Sequence, residues 1–342
     1  AMLISMTLMG CGILLMALTP GYARIGIAAP LLALTARLLQ GFALGGEVGS
    51  ATAYMLEGAD DESRGQAVSW QSISQGIASA IGSLVGWGLS LVLTRLQLDQ
   101  FGWRIALLLG AAIVPFALLI RNRLPETHDM AVVQSSVAVP FHSYRRVVGL
   151  AFLIIAAGTI ATYTFRYMAT YGQNTIHLSA SVAFAGQTAN IFIGIFSALL
   201  GGWLSDRVGR RWVMIVPQSA FLLAIVPCFL WLTTTRTVTA FIGANLILSM
   251  ASSTSLGAVY AAITESLPRM VRARAFALVY SVPVALFGGT TQLVVTWLLH
   301  VTGNPMAIAW YLTGVTGISL IAMIAMRESA PVKLRQMAPA YQ

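Results

Sequence analysis

The chain has 342 residues, of which 57% are hydrophobic and only 9% are charged. A water-soluble domain carries about a quarter charged residues, so this composition excludes a soluble globular protein and indicates one that lies within a lipid bilayer. The formal net charge is +9, but the basic residues alternate from loop to loop. That alternation excludes a nucleic-acid partner, because nucleic acid is bound by a continuous basic patch.

The apolar residues fall into blocks of about 20, the length that crosses about 30 Å of hydrocarbon. Backbone groups find no water there, so each block must form a helix or belong to a closed barrel. Barrel strands are short and alternating, whereas these blocks are long and continuous. We therefore predict an all-α, polytopic membrane bundle with spans at residues 2–19, 26–55, 66–94, 103–120, 147–170, 179–204, 212–233, 237–262, 273–300 and 306–326.

The loops between these spans differ sharply in charge. Fourteen of the 20 lysines and arginines lie in alternate loops, and four lie in the other set. Because positively charged loops stay in the cytoplasm, we predict a multi-pass protein of a bacterial-type inner membrane with both chain ends in the cytoplasm. Cys11 and Cys228 lie inside apolar blocks. They are therefore predicted to be small packing residues, and they indicate neither a disulfide nor a metal site.

A polar loop at 121–146 divides the spans into unequal groups. Four spans lie within residues 1–120 and six within 147–326, and residues 327–342 are predicted to form a cytoplasmic tail. An unequal division of this kind calls for a search for internal repeats.

One repeat occurs in the basic loops. Glu57 is followed seven residues later by Arg64, and Glu265 is followed in the same way by Arg272, at an offset of 208 residues. The offset leaves two spans of the second half without counterparts in the first. We therefore expect a protein of two six-helix halves that lacks its first two helices, since secondary transporters are often built from repeated halves.

The loop between the sixth and seventh spans carries the strongest local motif, Gly202-Trp203-Leu204-Ser205-Asp206-Arg207-Val208-Gly209-Arg210-Arg211. Gly209 allows a tight reversal, and Asp206 is expected to pair with an arginine or to cap the next helix. Such contacts form a latch that must break when two halves rock; the alternative is a basic loop that only fixes topology. The candidate gating residues are Asp206, Arg207, Gly209, Arg210, Glu57, Arg64, Glu265 and Arg272.

This loop resembles the G-x-x-x-D-R-x-G-R-R signature of the major facilitator superfamily. The segment Arg37-Leu38-Leu39-Gln40-Gly41 is similar to the R-x-x-Q-G signature of the same superfamily. Further segments make the chain look like a member of the metabolite:proton symporter family, which includes permeases for citrate, 2-oxoglutarate, shikimate and proline or betaine. These segments are Ser69-Trp70-Gln71, Gly102-Trp103-Arg104-Ile105, Leu124-Pro125-Glu126-Thr127, Phe287-Gly288-Gly289-Thr290 and Thr296-Trp297-Leu298.

The resemblance implies a secondary transporter that imports a small organic acid or related metabolite together with protons by alternating access. It also implies a monomer in the bilayer that needs no cofactor. Two residues depart from the family's pattern: Gln292 stands where members often have Pro, and Arg166 is a charge that members do not generally carry. The shared motifs leave the substrate open.

Three ionisable residues lie inside predicted spans, namely Arg37, Glu47 and Arg166. Each costs about 2.5–3.5 kcal/mol on insertion, which favours a functional role. Arg37 and Arg166 are predicted to bind an anionic group, since the guanidinium fork fits a carboxylate. Glu47 is predicted to carry the proton, because burial favours a neutral carboxyl group. The structural alternatives are that Glu47 reaches water at a helix end and that Arg37 bonds backbone carbonyls.

Polar side chains accompany these charges at helical spacing. Gln40 lies seven residues before Glu47 and shares its face, so Gln40 is predicted to line the substrate site. The fifth span carries a polar stripe in which Tyr163, Arg166 and Tyr167 are candidate substrate-binding residues. The stripe consists of Thr159, Thr162, Tyr163, Arg166 and Thr170.

The sixth span carries a weaker stripe, of Gln187, Asn190, Gly194 and Ser197. Such a stripe either lines a cavity, in which case Gln187 and Asn190 bind substrate, or holds helices together. The sequence leaves both alternatives open.

The sequence lacks the motifs of several function classes. The sequence has no phosphate-binding loop, no His/Cys metal cluster and no nucleophile elbow, which argues against an enzyme. Gly82-x-x-x-Gly86 is followed by Trp87, where the superfamily's antiporter signature would place Pro, so symport is favoured. The alternatives are an efflux or exchange transporter, a sensor-like membrane protein, or an inactive fragment.

Overall fold

The computed structural model describes residues 2–112, 115 and 140–337. Within these ranges the chain is all-helical and contains no β-strand. The end of the predicted fourth span, most of the predicted central loop 121–146 and the last five residues of the predicted tail lie outside the described residues.

The first half contains the helices α1 (Met2–Leu18), α2 (Ala28–Glu57), α3 (Arg64–Val92) and α4 (Trp103–Ala111). Short turns at Tyr22–Ile25 and Arg95–Gln97, the latter continued by a π turn at Leu98–Gly102, connect them. These helices begin or end within a few residues of the predicted spans, since continuous apolar sequence and internally bonded backbone both favour helix.

The second half contains the helices α5 (Arg145–Asn174), α6 (Ala180–Val208), α7 (Arg210–Thr235), α8 (Val238–Ser266), α9 (Arg272–Thr302) and α10 (Ala307–Ala325), followed by the short α11 (Pro331–Met337). Two of them begin at side-chain caps of the kind that satisfies free N–H groups. Ser179 Oγ accepts from the backbone N–H of Val182 at 3.4 Å, and Thr237 Oγ1 accepts from that of Ala240 at 3.2 Å.

Helix α9 is interrupted by a π turn at Val284–Gly288. The turn follows Pro283, which has no N–H to donate to the preceding turn, and insertions of this kind are a usual cause of a local change of pitch. The residues before and after it therefore form two helical segments, Arg272–Pro283 and Gly289–Thr302.

Seven of the described helices, α2 and α5 to α10, are long and apolar enough to cross a membrane. Helix α1 is apolar but has only 17 residues, and the described part of α4 has nine. The all-helical membrane fold is thus confirmed, and the count of ten spans stays a prediction.

The two halves meet mainly along two helix pairs, α2 with α9 and α3 with α6, and α3 also packs against α8. In α2 and α9 the contact is a seam of small residues, in which Gly41, Gly45 and Gly49 lie against Ala285, Ser281 and Ala277. A Cβ added at Gly49 would lie 2.5 Å from the Ala277 Cβ. Only glycine allows this approach, and we call the set of six residues the glycine seam.

The contacts recorded between the halves lie toward one end of the helices. That end carries the arginine-rich helix termini and is called here the basic-loop side. Beyond the seam, Leu34 of α2 is 55% exposed, and a Cβ added at Gly289 of α9 would meet no described atom within 4 Å. Trp87 of α3 and Phe184 of α6 are also exposed, at 50% and 42%. The halves are therefore closed on the basic-loop side, and the side chains named beyond the seam are exposed.

The apolar core of the described residues lies mainly in the second half. One cluster there is centred on Phe221, Phe229 and Phe241. A second cluster also takes Val48 and Val68 from the first half, so part of the core crosses between halves on the side where they are closed.

Candidate functional site

A charge network on the basic-loop side is built around Arg210, whose side chain is 1% exposed. Its Nη1 donates to Asp206 at 2.6 Å, and its Nε and Nη2 donate to the two carboxylate oxygens of Glu265 at 3.1 and 2.9 Å. Arg210 directly follows Gly209, whose φ of +109° turns the chain between α6 and α7 and favours glycine. A guanidinium held by two carboxylates is a strong, oriented contact.

Asp206 connects this network to the first half. Its Oδ1 and Oδ2 accept from the backbone N–H groups of Gly65 and Gln66 at 2.7 and 2.9 Å. These groups lie at the start of α3, where N–H groups lack partners within the helix and the helix dipole attracts negative charge. The structure has both the expected arginine pair, with Arg210, and a helix cap. The capped helix is α3 of the other half rather than the next helix in the chain.

Glu57 and Arg272 form a second polar link between the halves. Arg272 Nη1 donates to Glu57 Oε1 at 3.0 Å, and Arg272 Nε donates to the backbone carbonyl of Thr264 at 2.8 Å. Arg272 is therefore held by the second half and contacts the first. Together with Asp206, Arg210 and Glu265, these two residues complete the charge network.

Two predicted gating residues lie beside the charge network without joining it. Arg64 pairs with Asp61 at 2.8 Å, and both side chains are partly exposed. The Arg207 guanidinium lies 4.0 Å from the centre of the Trp203 ring, an attractive cation–π geometry. The repeat in the sequence therefore identifies candidate residues, but it does not predict which residues they contact.

Glu328 is a functional candidate that the sequence analysis missed. Its carboxylate accepts from the backbone N–H groups of Arg210 and Arg211 at 2.9 and 3.1 Å, and so caps α7. The next residue, Ser329, donates to Glu265 at 2.8 Å. The start of the predicted tail thus packs against the charge network. A signal exists in the sequence, because an acid followed by a hydroxyl residue occurs after the last predicted span of each half, at Glu126-Thr127 and Glu328-Ser329.

The membrane-depth candidates Arg37, Tyr163 and Arg166 lie just beyond the last recorded contact of the glycine seam, and we call them the central site. Arg37 is exposed on α2, one turn beyond Gly41 of the glycine seam. Its Nη1 lies 3.5 Å from Gln40 Oε1, at the outer limit of a hydrogen bond. The structure therefore leaves this guanidinium available to another acceptor.

Tyr163 and Arg166 approach the same level from α5. The Arg166 guanidinium lies 4.8 Å from the centre of the Tyr163 ring, and that ring packs on the backbone of Gly288 in α9. Gly288 is three residues from Ala285, the partner of Gly41 in the glycine seam. Helix α9 thus brings the two arginine-bearing segments, from opposite halves, within about one turn of each other.

The remaining polar candidates of α2 and α5 differ in their surroundings. Tyr167 accepts a hydrogen bond from Thr296 of α9 at 3.3 Å. Gln40 packs against Gly12 of α1. Glu47 is half-buried, forms no side-chain hydrogen bond or ion pair with any described residue, and lies ten residues from Arg37, or about 15 Å along the helix axis. The proton-carrying candidate is therefore separate from the arginines.

The stripe on α6 lies against α8. The backbone carbonyl of Asn190 accepts from Ser249 at 3.3 Å, and Gly194 faces Ser249 and Ser253. Asn190 is 6% exposed, and its Nδ2, like Oε1 of Gln187, has no partner among the described atoms. Asn190 thus lies at a contact between helices, and no contact recorded for the described residues joins it to the central site.

The described residues include no group of three or more His, Cys, Asp or Glu side chains that could hold a metal ion. The groups that the structure places at the central site are the guanidinium groups of Arg37 and Arg166 and the hydroxyl of Tyr163.

Comparisons of sequence agree over nearly the whole chain. Residues 1–282 and 181–338 match the profile described as Major Facilitator Superfamily. A citrate-proton symporter of Salmonella typhi is 34% identical over 341 residues, which cover 96% of this chain and 77% of the relative. The alpha-ketoglutarate permease of Escherichia coli (strain K12) is 32% identical over 341 residues, which cover 98% and 78%.

Solved structures share the fold. The proton:xylose symporter XylE, bound to 6-bromo-6-deoxy-D-glucose, superposes with a TM-score of 0.75 at 13% identity, over 96% of this chain and 80% of that protein. The transporter FucP in its outward conformation gives a TM-score of 0.61 at 15% identity, over 94% and 83%. At these identities the likeness concerns the helical architecture alone.

Proposed function

Because this chain belongs to the major facilitator superfamily, we propose that it is a secondary active transporter that imports a small carboxylate-bearing metabolite together with protons. The observation that carries the proposal is the arrangement of the central site: two arginines from opposite halves lie just beyond the glycine seam, above a closed basic-loop side. Relatives named as a citrate-proton symporter and an alpha-ketoglutarate permease support a carboxylate as cargo and a proton as the coupled ion.

The proposal assigns a role to each candidate. Arg37 and Arg166 hold the carboxylate, which a planar guanidinium fork suits, and Glu47 carries the proton. Gln40, Tyr163 and Tyr167 line the site from α2 and α5. Gln187 and Asn190 lie on α6 and are the weaker candidates for this site. The contact of α6 with α8 favours a packing role for Asn190.

The orientation and organisation of the chain belong to the same proposal. The basic-loop side faces the cytoplasm of a bacterial-type inner membrane, as positively charged loops do, and the protein acts as a monomer in the bilayer. Ten spans divide into four within 1–120 and six within 147–326, with the loop 121–146 between them. The repeat of Glu57 and Arg64 at Glu265 and Arg272 supports two six-helix halves.

Transport in proteoliposomes tests the proposal. Radiolabelled citrate, 2-oxoglutarate, shikimate and proline are offered with and without an inward proton gradient. We expect gradient-dependent accumulation of a carboxylate-bearing compound. Truncating one partner of a buried charge pair costs about 2–5 kcal/mol, so Arg37→Gln and Arg166→Gln should lower uptake roughly thirtyfold or more.

The matched control is Arg24→Gln, which removes an exposed arginine outside the central site and should leave uptake unchanged. If the folded protein accumulates none of the four compounds under a gradient, the carboxylate proposal fails. Gradient-driven exit from preloaded vesicles would then support the alternative, an efflux or exchange transporter.

A further inference from the structure

Gln75 of α3 and Tyr280 of α9 join the two halves by a hydrogen-bonded pair away from the helix ends. Gln75 Nε2 donates to Tyr280 Oη at 3.1 Å, and Oη lies 3.3 Å from Gln75 Oε1, to which it can donate. Gln75 is eleven residues from the start of α3, or roughly 16 Å along the axis. The charge network lies at the helix ends, so this pair is a separate polar link at membrane depth.

The second half holds Tyr280 in a fixed position. The side chain is 4% exposed. Its ring packs edge-on against Tyr260 at a centroid distance of 6.0 Å and stacks on Phe276 at 6.3 Å. Gln75, by contrast, is half-buried and has a more flexible side chain. One half thus presents a rigid hydroxyl group and the other reaches it with an amide.

The pair lies at the level of the glycine seam, on the basic-loop side of the central site. Ser281, the neighbour of Tyr280, packs against Gly45 in the seam. On the other side, Gly288 of the same helix, eight residues after Tyr280, packs against the Tyr163 ring of the central site. The bond therefore lies between the basic-loop side and the level of the arginines.

A bond in this place contributes to one access state only. While the basic-loop side is closed, the amide and hydroxyl satisfy each other in a region without water, where unpaired polar groups are unfavourable. When the halves separate on this side, the hydrogen bond breaks and the two groups bind water instead. A typical hydrogen bond changes such an equilibrium roughly fivefold.

We propose that Gln75 and Tyr280 are positioning residues that keep the basic-loop side closed beneath the central site and so set the balance between the two access states. This inference rests on the proposed function, because it assumes transport by alternating access. Neither residue touches the cargo in this role. They act through the position of the halves.

Cysteine accessibility tests the inference. The reporter is Ser69→Cys, a position that is 1% exposed and packed against Gly202 on the closed side, in full-length protein carrying Cys11→Ser and Cys228→Ser. The rate of alkylation by N-ethylmaleimide is measured without cargo. Gln75→Leu and Tyr280→Phe should each raise the rate about fivefold. The double variant should be no faster than either single one, because both remove the same bond.

Two further variants separate this role from general loosening. Tyr171→Phe removes another buried tyrosine hydroxyl, which donates to the Pro305 carbonyl within the second half, and should leave the rate unchanged. Gln75→Glu keeps a side-chain oxygen at the same distance along the chain, which can accept a hydrogen bond from Tyr280. This variant should therefore be alkylated as slowly as the protein with Gln75. Additive effects in the double variant, or equally fast alkylation of Tyr171→Phe, would overturn the inference. Since alkylation needs no cargo, a failure of citrate uptake bears on the proposed function alone.

Discussion

Arg210 illustrates how a charged residue is accommodated at a buried position. Its guanidinium is surrounded by Asp206 and Glu265, and Asp206 in turn faces the positive end of α3. Removing a charge from water is unfavourable unless partners and hydrogen bonds replace the lost hydration. Here the carboxylates and the helix terminus supply both, so each member of the charge network depends on the others.

Replacing Asp206 should therefore be strongly destabilising. Asp206→Ala leaves Arg210 with one carboxylate and α3 without its cap, and we expect a loss of about 3 kcal/mol together with loss of uptake. Thermal unfolding in detergent measures the first effect. Asp61→Ala breaks a partly exposed pair with Arg64 and should cost at most about 1 kcal/mol. Equal losses for both variants would contradict this account.

Glu328 should contribute less, because it acts at the edge of the network. Glu328→Gln keeps the side-chain shape but removes the charge that caps α7, and we expect a loss of about 1 kcal/mol. The readout is again thermal unfolding. Glu62→Gln, at an exposed position, is the control and should unfold at the wild-type temperature.

Sequence patterns identified most charged residues of the network but not their partners. The Glu–Arg repeat marks Glu57, Glu265 and Arg272, yet the contacts join residues up to 215 positions apart. Spacing along the chain carries no information about such pairs. Glu328 was missed because a single acid after a span looks like any solvated loop residue.

At the scale of helices, the glycine seam shows what hydropathy does not predict. The long apolar spans were confirmed as helices because composition and length decide that outcome. Which faces touch depends instead on the absence of side chains at Gly41, Gly45 and Gly49. Glycine is common in membrane helices, so Gly45 and Gly49 did not stand out in the sequence, and Gly41 did so only as part of the Arg37–Gly41 signature.

A methyl group in the glycine seam should force α2 and α9 apart. At Gly45 a Cβ would overlap the Cβ of Ser281, which belongs to the helix and cannot swing away. Overpacking costs about 1–3 kcal/mol, so Gly45→Ala should depopulate the closed state roughly tenfold and speed alkylation of the Ser69→Cys reporter. Gly82→Ala, where a Cβ meets no described atom within 4 Å, is the matched control. A slow, wild-type rate in Gly45→Ala would show that the seam is looser than described.

At the scale of the whole molecule, closure and the proposed cargo binding involve different parts of the structure. The charge network and glycine seam hold the basic-loop side together, while the central site lies beyond the seam. Glu47 is on α2 but makes no recorded polar contact with either group. A group placed in this way can gain or lose a proton without breaking the contacts that hold the halves.

Neutralising Glu47 should therefore uncouple transport rather than unfold the protein. We expect Glu47→Gln to lose accumulation of citrate driven by a proton gradient but to keep exchange of labelled for unlabelled citrate across the membrane. Asp60→Asn, at an exposed position, should retain both. Full gradient-driven accumulation by Glu47→Gln would exclude this residue as the proton carrier.

The π turn in α9 sets how one helix meets two different neighbours. The segment before it, Arg272–Pro283, supplies Ser281 and Ala277 to the glycine seam, and the segment after it supplies Thr296 to Tyr167 beside the central site. An inserted residue offsets the two segments in rotation. A single span thus carries both a close contact with the first half and a hydrogen bond to α5, on faces that an unbroken helix would align differently.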